Sequence, residues 1–189
     1  MKIEINKSWI GIDVIIPTRH YDDRGFFSEL YKYNTYFENN ITSKFVQENH
    51  SFSLQSGTIR GLHFQAPPFS QAKLIRCGQG SIYDVAVDIR LGSPYYGKWF
   101  GYKLTAENGH QLFVPEGFAH GFITLETNSE IIYKCSEYYE PKSEGALFWN
   151  DPDIGIKWPY DEKFVINEKD AKAPLLKNLK SPFTLKKNS

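Results

Sequence analysis

The sequence has few cysteines, no excess of either charge and no long apolar run. Its two cysteines, Cys77 and Cys135, are too few for a disulfide framework and lie in strand-like segments, so we expect buried free thiols in a reducing compartment. The 22 Lys and Arg residues balance the 22 Asp and Glu residues, which argues against a surface for nucleic acid or anionic membranes. The chain also lacks the roughly 20 consecutive apolar residues of a membrane-spanning helix, and its N-terminus lacks the apolar core of a signal peptide. We therefore predict a cytoplasmic protein that binds neither nucleic acid nor membrane.

Apolar residues, by contrast, are plentiful. Of the 189 residues, 41% are hydrophobic and 16% are aromatic, which is enough to fill the core of one domain of ordinary size. We predict a single domain over residues 1–189. From about Lys172 onwards, lysines occur among prolines, and this composition predicts a solvated, peripheral tail. The lysines concerned are Lys172, Lys177, Lys180, Lys186 and Lys187.

Short segments of alternating hydrophobicity follow one another along most of the chain, as β-strands do. In segment 82–89, the side chains of Tyr83, Val85, Val87 and Ile89 point to one face, and those of Ile82, Asp84, Ala86 and Asp88 point to the other. Helical signals occur only near 33–39 and after Asn167. Strands at this regular spacing predict an antiparallel sandwich or barrel. The other predicted strands are 10–16, 98–104, 111–114, 118–125 and 131–139.

Polar residues on several of these strands share a face. Burying such groups without a partner is costly, so a barrel that carries them inside is expected to bind a polar ligand in its mouth. The alternation alone leaves open which face of each strand is the inner one. The sets that share a face are Gln47 with Asn49, His63 with Gln65, and Tyr133 with Cys135, Glu137 and Tyr139.

Two segments resemble the half-motifs of the cupin superfamily, namely Gly57-x5-His63-x-Gln65 and Pro115-x-Gly117-x2-His120. The resemblance implies an all-β fold, a double-stranded β-helix (cupin or jelly-roll barrel) with a few short helices. In metal-binding cupins, the first half-motif supplies two histidines and a glutamate. Here Gln65 stands at the second histidine position, and no acid occurs near Phe69 and Ser70. Two imidazoles without a carboxylate are a poor site for Zn²⁺ or Fe²⁺, so we expect no metal.

A closer resemblance rests on a series of motifs that runs in order from Asp23 to Asp170. In this series the sequence resembles the dTDP-4-dehydrorhamnose 3,5-epimerase family. The resemblance implies a cofactor-independent enzyme that inverts C3 and C5 of a 4-keto-6-deoxyhexose carried on dTDP, giving dTDP-4-dehydro-L-rhamnose. The motifs are Asp23-Arg24-Gly25-Phe26-Phe27-x-Glu29, Gln47-Glu48-Asn49-His50-Ser51, Arg60-Gly61-Leu62-His63-Phe64-Gln65, Lys73-Leu74, Asp84-Val85-Ala86-Val87-Asp88-Ile89-Arg90, Ser93-Pro94-x2-Gly97, Pro115-x-Gly117-Phe118-Ala119-His120-Gly121-Phe122, Tyr133-Lys134 and Asn150-Asp151-Pro152.

The resemblance also assigns roles to five residues. A ketone at C4 acidifies the hydrogens on both neighbouring carbons, so one enolate mechanism can serve C3 and C5. The resemblance implies that His63 is the base and that Asp170 fixes its tautomer. Tyr133 then corresponds to the acid on the opposite ring face. Lys73, together with Arg60, corresponds to the cations that stabilise negative charge on O4.

The same resemblance implies a set of substrate contacts and a homodimer. In this family the N-terminal strands of the neighbouring subunit supply part of the nucleotide site. Phe26 and Phe27 are candidates for that contact, and a place in the hydrophobic core remains equally open for them. The implied substrate-binding residues are Arg24, Glu29, Gln47, Asn49, Arg60, His120, Tyr139, Glu144 and Lys169.

Three alternative functions remain open at the level of sequence. One is an epimerase of C3 or C5 alone, or a 3,4-ketoisomerase, on a related dTDP-4-keto-6-deoxysugar, because such relatives retain most of these residues. The second is a metal-dependent cupin dioxygenase or isomerase. The third is a non-enzymatic cupin module that binds nucleotides or sugars.

Overall fold

The computed structural model describes residues 1–185, so Lys186 and Lys187 of the predicted tail lie outside the described residues. Within this range the chain forms thirteen short strands, two short α-helices and the 3₁₀ turns Pro141–Ser143 and Leu176–Asn178. The α-helices are α1 (Tyr33–Glu38) and α2 (Glu168–Ala171). The strands are β1 (Ile3–Lys7), β2 (Asp13–Pro17), β3 (His20–Asp22), β4 (Gly25–Phe27), β5 (Gln47–Ser53), β6 (Ile59–Gln65), β7 (Lys73–Gln79), β8 (Ser81–Asp88), β9 (Trp99–Thr105), β10 (Gln111–Val114), β11 (Phe118–Thr124), β12 (Ser129–Cys135) and β13 (Glu144–Ala146).

Two antiparallel sheets make up the body of the fold. One sheet has the strand order β1-β2-β10-β7-β12-β5, and the other has the order β13-β6-β11-β8-β9. Strands β3 and β4 form a separate hairpin. The predicted all-β architecture of the cupin type is confirmed, although the two sheets do not join into one closed ladder within residues 1–185.

The two faces predicted for β8 are present, and each belongs to a different hydrophobic cluster. Ile82 and Ala86 pack between the sheets with Ile75 of β7, whereas Val85 and Val87 belong to a second cluster on the outer face of their sheet. The polar members of the first set, Asp84 and Asp88, therefore point to the space between the sheets together with Ile82 and Ala86.

The C-terminal segment differs from the predicted solvated tail. Phe183 is only 8% exposed and packs in the outer cluster of β8, with Leu176 and Leu179 against it. Thr184 also forms a β-bridge with Leu91. The outer face of β8 is apolar and requires a cover, and these three apolar side chains provide it. The lysine and proline content of the segment concealed this role, because Lys172, Lys177 and Lys180 are all exposed.

Both predicted helices are present, and each has a clear structural role. Tyr36 of α1 is fully buried on the outer face of the first sheet, where its hydroxyl donates to Gln111 Oε1 at 2.7 Å. Helix α2 begins after Asn167, whose Oδ1 accepts the backbone N–H of Asp170 at 2.7 Å. No helix among residues 1–185 is both long enough and apolar enough to cross a bilayer. Cys77 and Cys135 are buried free thiols, as expected.

Candidate active site

Two adjoining cavities open between the sheets and share the side chains of His50, His63, Lys73 and Tyr133. The first, of about 480 Å³, is called here the histidine cavity. The second, of about 400 Å³, is called here the rim cavity. The histidine cavity also contacts Arg60, Phe122, His120 and Asp170. The rim cavity also contacts Gln47, Asn49, Gln65, Tyr139 and Glu144.

His63 and Asp170 form a hydrogen-bonded pair in the wall of the histidine cavity. His63 Nε2 lies 2.7 Å from Asp170 Oδ1, and the carboxylate is almost fully buried. Asp170 Oδ2 accepts the backbone N–H of Gly61 at 3.1 Å. In a neutral imidazole with Nε2–H donating to the carboxylate, Nδ1 is the free proton acceptor. The predicted base and its carboxylate are therefore brought together by β6 and α2.

A glycine at position 61 allows this strand to approach its neighbour closely. Gly61 has a φ of 124°, and a Cβ atom on it would lie 2.6 Å from the Cα atom of Gly121 on β11. Any other residue would be strained in this conformation and would collide with the backbone. The Arg60-Gly61-Leu62-His63 sequence thus sets the position of His63 beside β11.

A second histidine–aspartate pair lies beside the first. His120 on β11 is the register partner of His63 on β6, and His120 Nε2 lies 2.8 Å from Asp84 Oδ1. His120 is buried, and Asp84 is fully buried beneath it. Both imidazoles are therefore held through Nε2 by a buried carboxylate.

Lys73 and Tyr133 complete the histidine cavity from the first sheet. Burial lowers the pKa of Lys73, and its interactions with Cys135, Asp84 and Glu144 oppose that effect. Burial raises the pKa of Tyr133, so the phenol remains a protonated donor at neutral pH. The cavity therefore combines an imidazole acceptor, a neutral phenol and a buried amine.

Arg60 lies at the exposed edge of the histidine cavity. Its guanidinium donates to Ser53 Oγ at 3.3 Å and to the carbonyl of Phe52 at 3.0 Å, which holds it against β5. The predicted partnership of Arg60 with Lys73 is thus compatible with one cavity, with the arginine nearer to solvent.

The rim cavity gathers most of the remaining predicted substrate contacts. Glu144 Oε2 accepts from Lys169 Nζ at 2.6 Å and from the Tyr139 hydroxyl at 3.1 Å. Although burial alone would raise the pKa of Glu144, these two hydrogen bonds hold it below its usual value. Gln47 donates to Asn49 Oδ1 at 3.0 Å and accepts the backbone N–H of Tyr139 at 3.0 Å. The result is a polar surface with one exposed aromatic ring.

Gln65, at the second histidine position of the cupin motif, clamps two loops. Its side-chain nitrogen donates to the carbonyls of Phe69 and Tyr138, and its oxygen accepts the backbone N–H of Glu140 at 2.9 Å. The side chain is buried and fully hydrogen-bonded. Within residues 1–185, no group of three or more His, Cys, Asp or Glu residues is arranged to hold a metal ion.

Arg24 and Glu29, two of the predicted substrate contacts, line neither cavity. Arg24 lies on the exposed β3–β4 hairpin and donates to Asp22, while Glu29 accepts from the amino group of Met1 at 2.6 Å. Phe26 and Phe27 are 53% and 68% exposed on the same hairpin, so a role in the hydrophobic core is excluded. Both faces of this short hairpin are open to solvent within one chain.

Sequence reasoning gave no role to five residues that line the histidine cavity, of which three are polar: His50, Ser51 and Asn167, with Phe52 and Phe122 as the apolar two. Ser51 has the same strand parity as Gln47 and Asn49, so the alternation of β5 contained the signal. Asn167 was noted only as the start of a helix. Its position beside the cavity follows from the contact of α2 with β6, which no local pattern reports.

Comparison with known proteins identifies the family of the chain. The model of the dTDP-4-dehydrorhamnose 3,5-epimerase family matches residues 7–178. The dTDP-4-dehydrorhamnose 3,5-epimerase of Salmonella typhimurium is 49% identical over 178 residues, covering 93% of this chain and 96% of the relative. A dTDP-6-deoxy-D-glucose-3,5-epimerase from Legionella pneumophila, solved with dTDP-4-keto-L-rhamnose, is 40% identical with a TM-score of 0.94, covering 98% of this chain and 100% of the other.

A more distant solved structure is ChmJ, a 3'-monoepimerase from Streptomyces bikiniensis in complex with dTDP-quinovose. It is 31% identical with a TM-score of 0.84, covering 90% of this chain and 87% of the other. The family model and the Salmonella relative each span most of the chain. The chain therefore belongs to the dTDP-4-dehydrorhamnose 3,5-epimerase family, a family of isomerases.

Proposed function

We propose that this chain is a cofactor-independent epimerase that inverts C3 and C5 of dTDP-4-dehydro-6-deoxy-D-glucose to give dTDP-4-dehydro-L-rhamnose. The observation that carries the proposal is the convergence of the His63–Asp170 pair, Tyr133 and Lys73 on one cavity. Family membership supports the same reaction, as does the dTDP-linked product bound in the Legionella relative.

The first step is removal of the proton from C3 by His63. Asp170 holds Nε2–H, so Nδ1 accepts the proton, and the buried carboxylate stabilises the imidazolium that forms. The electron pair of the broken C3–H bond moves into the C3–C4 bond, and the C4 ketone becomes an enolate. Lys73 is the cation that stabilises the charge on O4 at this stage.

The second step returns a proton to the opposite face of the ring. Tyr133 enters the cavity from β12, in the sheet opposite that of His63, and burial keeps its phenol protonated. It donates its proton to C3 while the C4 carbonyl reforms, which inverts the centre. Before the second round, His63 releases its proton to solvent and Tyr133 takes one from solvent, which restores both groups. They then repeat the sequence at C5, because C5 is the other carbon next to the ketone.

The nucleotide is assigned to the rim cavity. Gln47, Asn49 and Glu144 offer hydrogen-bonding groups for base and ribose, and Lys169 offers a positive charge for the pyrophosphate. The exposed ring of Tyr139 offers a stacking surface. His120 and Arg60 contact the sugar end in the histidine cavity.

In this proposal, Arg24 and Glu29 reach the nucleotide site of a second subunit in a homodimer. Within one chain they lie outside both cavities, on or next to a hairpin that carries the exposed rings of Tyr21, Phe26 and Phe27. A hairpin with exposed aromatics and one guanidinium suits a contact with a second copy of the chain and with a phosphate. In the proposed dimer, each hairpin reaches the rim cavity of the partner subunit.

Solvent exchange tests the reaction directly. The purified protein is incubated in D₂O with dTDP-4-dehydro-6-deoxy-D-glucose, and the sugar nucleotide is analysed by mass spectrometry and proton NMR. Deuterium at both C3 and C5, with the L-rhamno configuration in the product, is the expected result. The absence of any incorporation by a folded sample that binds dTDP would overturn the enzymatic proposal in favour of a binding module.

A single-centre epimerase is the second candidate, because the 3'-monoepimerase ChmJ shares the fold. It predicts deuterium and inversion at one carbon only. A 3,4-ketoisomerase predicts a product whose carbonyl has moved to C3, which carbon NMR distinguishes.

A further inference from the structure

Strand β8 carries two fully buried carboxylates, Asp84 and Asp88, which point to the same interior. Asp88 is completely satisfied: its oxygens accept from the guanidinium of Arg90 at 2.6 and 3.0 Å and from Ser93 Oγ at 2.6 Å. Asp84 differs, because only Oδ1 is bonded, to His120 Nε2 at 2.8 Å. Asp84 Oδ2 is buried and has no hydrogen-bond partner among the described residues.

A half-satisfied buried carboxylate costs stability, and such groups occur where function uses them. Asp84 lies directly beneath the histidine cavity, because His120 lines that cavity. Lys73 reaches the same interior from β7 in the opposite sheet. No acid lies within 4 Å of the Lys73 amine among residues 1–185. Asp84 therefore acts on Lys73 through space, without a direct ion pair, while its Oδ1 is held by His120.

We propose that Asp84 is a positioning residue of the active site, which fixes the ring of His120 and presents a buried negative charge to the Lys73 ammonium. The inference rests on the function proposed above, in which His120 and Lys73 both contact the sugar. Because Asp84 holds Nε2, Nδ1 is the ring nitrogen of His120 that remains available to a substrate. The charge of Asp84 favours the protonated form of Lys73, which is the form that stabilises an enolate.

The electrostatics of the cavity agree with this role. Burial lowers the pKa of Lys73, and its interactions with the Cys135 thiol and the carboxylates of Asp84 and Glu144 raise it. Of these three, Asp84 alone is a fully buried carboxylate. The charged and titratable groups that surround Lys73 from the neighbouring elements are His50, Arg60, His63, Asp84, His120, Tyr133, Cys135, Glu144 and Asp170.

The test compares Asp84→Asn with Asp88→Asn, a matched variant on the same strand with equal burial. Asparagine keeps the shape of the side chain and removes its charge. For Asp84→Asn we expect kcat at pH 7 to fall about 10- to 100-fold, as for other carboxylates that orient functional groups. We also expect the alkaline limb of the kcat profile to move to lower pH. For Asp88→Asn we expect a lower Tm and an unmoved limb.

A third variant isolates the effect on the lysine. Arginine keeps its charge at all accessible pH values, so in a Lys73→Arg background the Asp84→Asn change should no longer move the alkaline limb. An alkaline limb that is identical in wild type and Asp84→Asn would overturn the electrostatic part of the proposal. If the alkaline limb of the kcat profile shifted equally in Asp84→Asn and Asp88→Asn, the shift would be a general effect of destabilisation, and the electrostatic part of the proposal would be overturned.

A measurement without turnover separates this inference from the proposed function. Nitrogen-15 NMR of the imidazoles reports which ring nitrogen of His120 carries the proton. We expect Nε2–H in the wild type and a changed tautomer population in Asp84→Asn, with the Asp88→Asn spectrum unchanged at His120. An unchanged His120 signal in Asp84→Asn overturns the positioning role even if the enzyme turns over. If the wild type fails to turn over while the signal changes, the proposed function is at fault.

Discussion

Asp170 connects the imidazole of His63 to the strand that carries it. One carboxylate oxygen lies 2.7 Å from His63 Nε2, and the other accepts the N–H of Gly61, two residues earlier on β6. The side chain and its backbone are thus fixed relative to one buried anion. Such a connection determines the tautomer and the direction of the ring together.

Asp170→Asn should therefore retain the fold and lose most of the activity. An amide can still hydrogen-bond to the ring, but it neither enforces Nε2–H nor stabilises an imidazolium. We expect kcat to fall about 10²- to 10⁴-fold. Steady-state kinetics and circular dichroism check the prediction, with Glu168→Gln as control, since Glu168 is an exposed acid on the same helix. A kcat within threefold of wild type in Asp170→Asn would contradict the base assignment.

Tyr133→Phe should separate proton exchange from inversion. Without the phenol, His63 can still remove the C3 proton and return a deuteron from solvent to the same face. We expect deuterium at C3 with retained configuration, while the rate of epimerisation falls by about 10²-fold or more. Tyr102→Phe is the control, because Tyr102 bonds to His110 and lines neither cavity. Equal losses of exchange and inversion would show that Tyr133 is not the acid.

The proposed role of Lys73 predicts that the proposed reaction is sensitive to high pH. A protonated lysine is present below its pKa and is lost as the pH rises through it. Because burial lowers that pKa from the ordinary 10.5, the alkaline limb of kcat should begin below pH 10.5. Lys73→Arg should move the limb upwards, and Lys73→Met should lower kcat about 10²- to 10³-fold. Lys103→Met, which removes an exposed lysine, should change neither quantity.

Mixed dimers test whether Arg24 acts in the partner's site. Arg24→Ala alone should mainly raise KM, and His63→Ala alone should abolish turnover. After the two variants are unfolded together and refolded, random pairing should give about one quarter of the sites wild-type KM and kcat, because one site of each heterodimer is intact. Turnover is therefore measured at a substrate concentration well below the KM of Arg24→Ala. Mixing His63→Ala with Asp170→Ala should restore none, since both residues belong to one chain's cavity. No recovery in the first mixture would place Arg24 outside the partner's site.

The clamp formed by Gln65 should influence nucleotide binding more than chemistry. Gln65→Ala removes the hydrogen bonds that hold residues 138–140, next to Tyr139 and Glu144. We expect the Kd for dTDP and the KM to rise about tenfold, with kcat within about threefold of wild type. Gln111→Ala is the matched control for Gln65→Ala, because Gln111 is also a buried, hydrogen-bonded glutamine but lies outside both cavities. A similar rise in Kd for both variants would attribute the effect to stability.

Local sequence patterns predicted much of the fold, for identifiable reasons. The alternation in β8 predicted the two faces because one sheet face packs between the sheets and the other under a cover. The identity of that cover was missed, because Phe183 lies almost a hundred residues away in a lysine-rich segment. Strands and helix ends can be predicted from residues that are neighbours in the sequence. The packing of Phe183 on the outer face of β8 is a contact between distant segments, which forms only when the chain folds.

The residues of the candidate site also divide into those that local sequence predicts and those that only the folded structure reveals. The motif around His63 and the helix start at Asn167 are local, so each could be recognised separately, and the resemblance joined them. The pairing of His120 with Asp84 depends on adjacent strands β11 and β8, and no single segment reports it. Arg24 is the extreme case, because even the folded chain does not bring it to a cavity.

The hydrogen bonds of Gln65 have a consequence for metal binding. A metal-binding cupin would need a histidine here, but this side chain now supports two loops through three hydrogen bonds. Restoring an imidazole would release those loops before any metal could bind, since the acid of such a site is also missing near Phe69. The glutamine is therefore a structural element of these loops, and replacing it with histidine alone would not create a metal site.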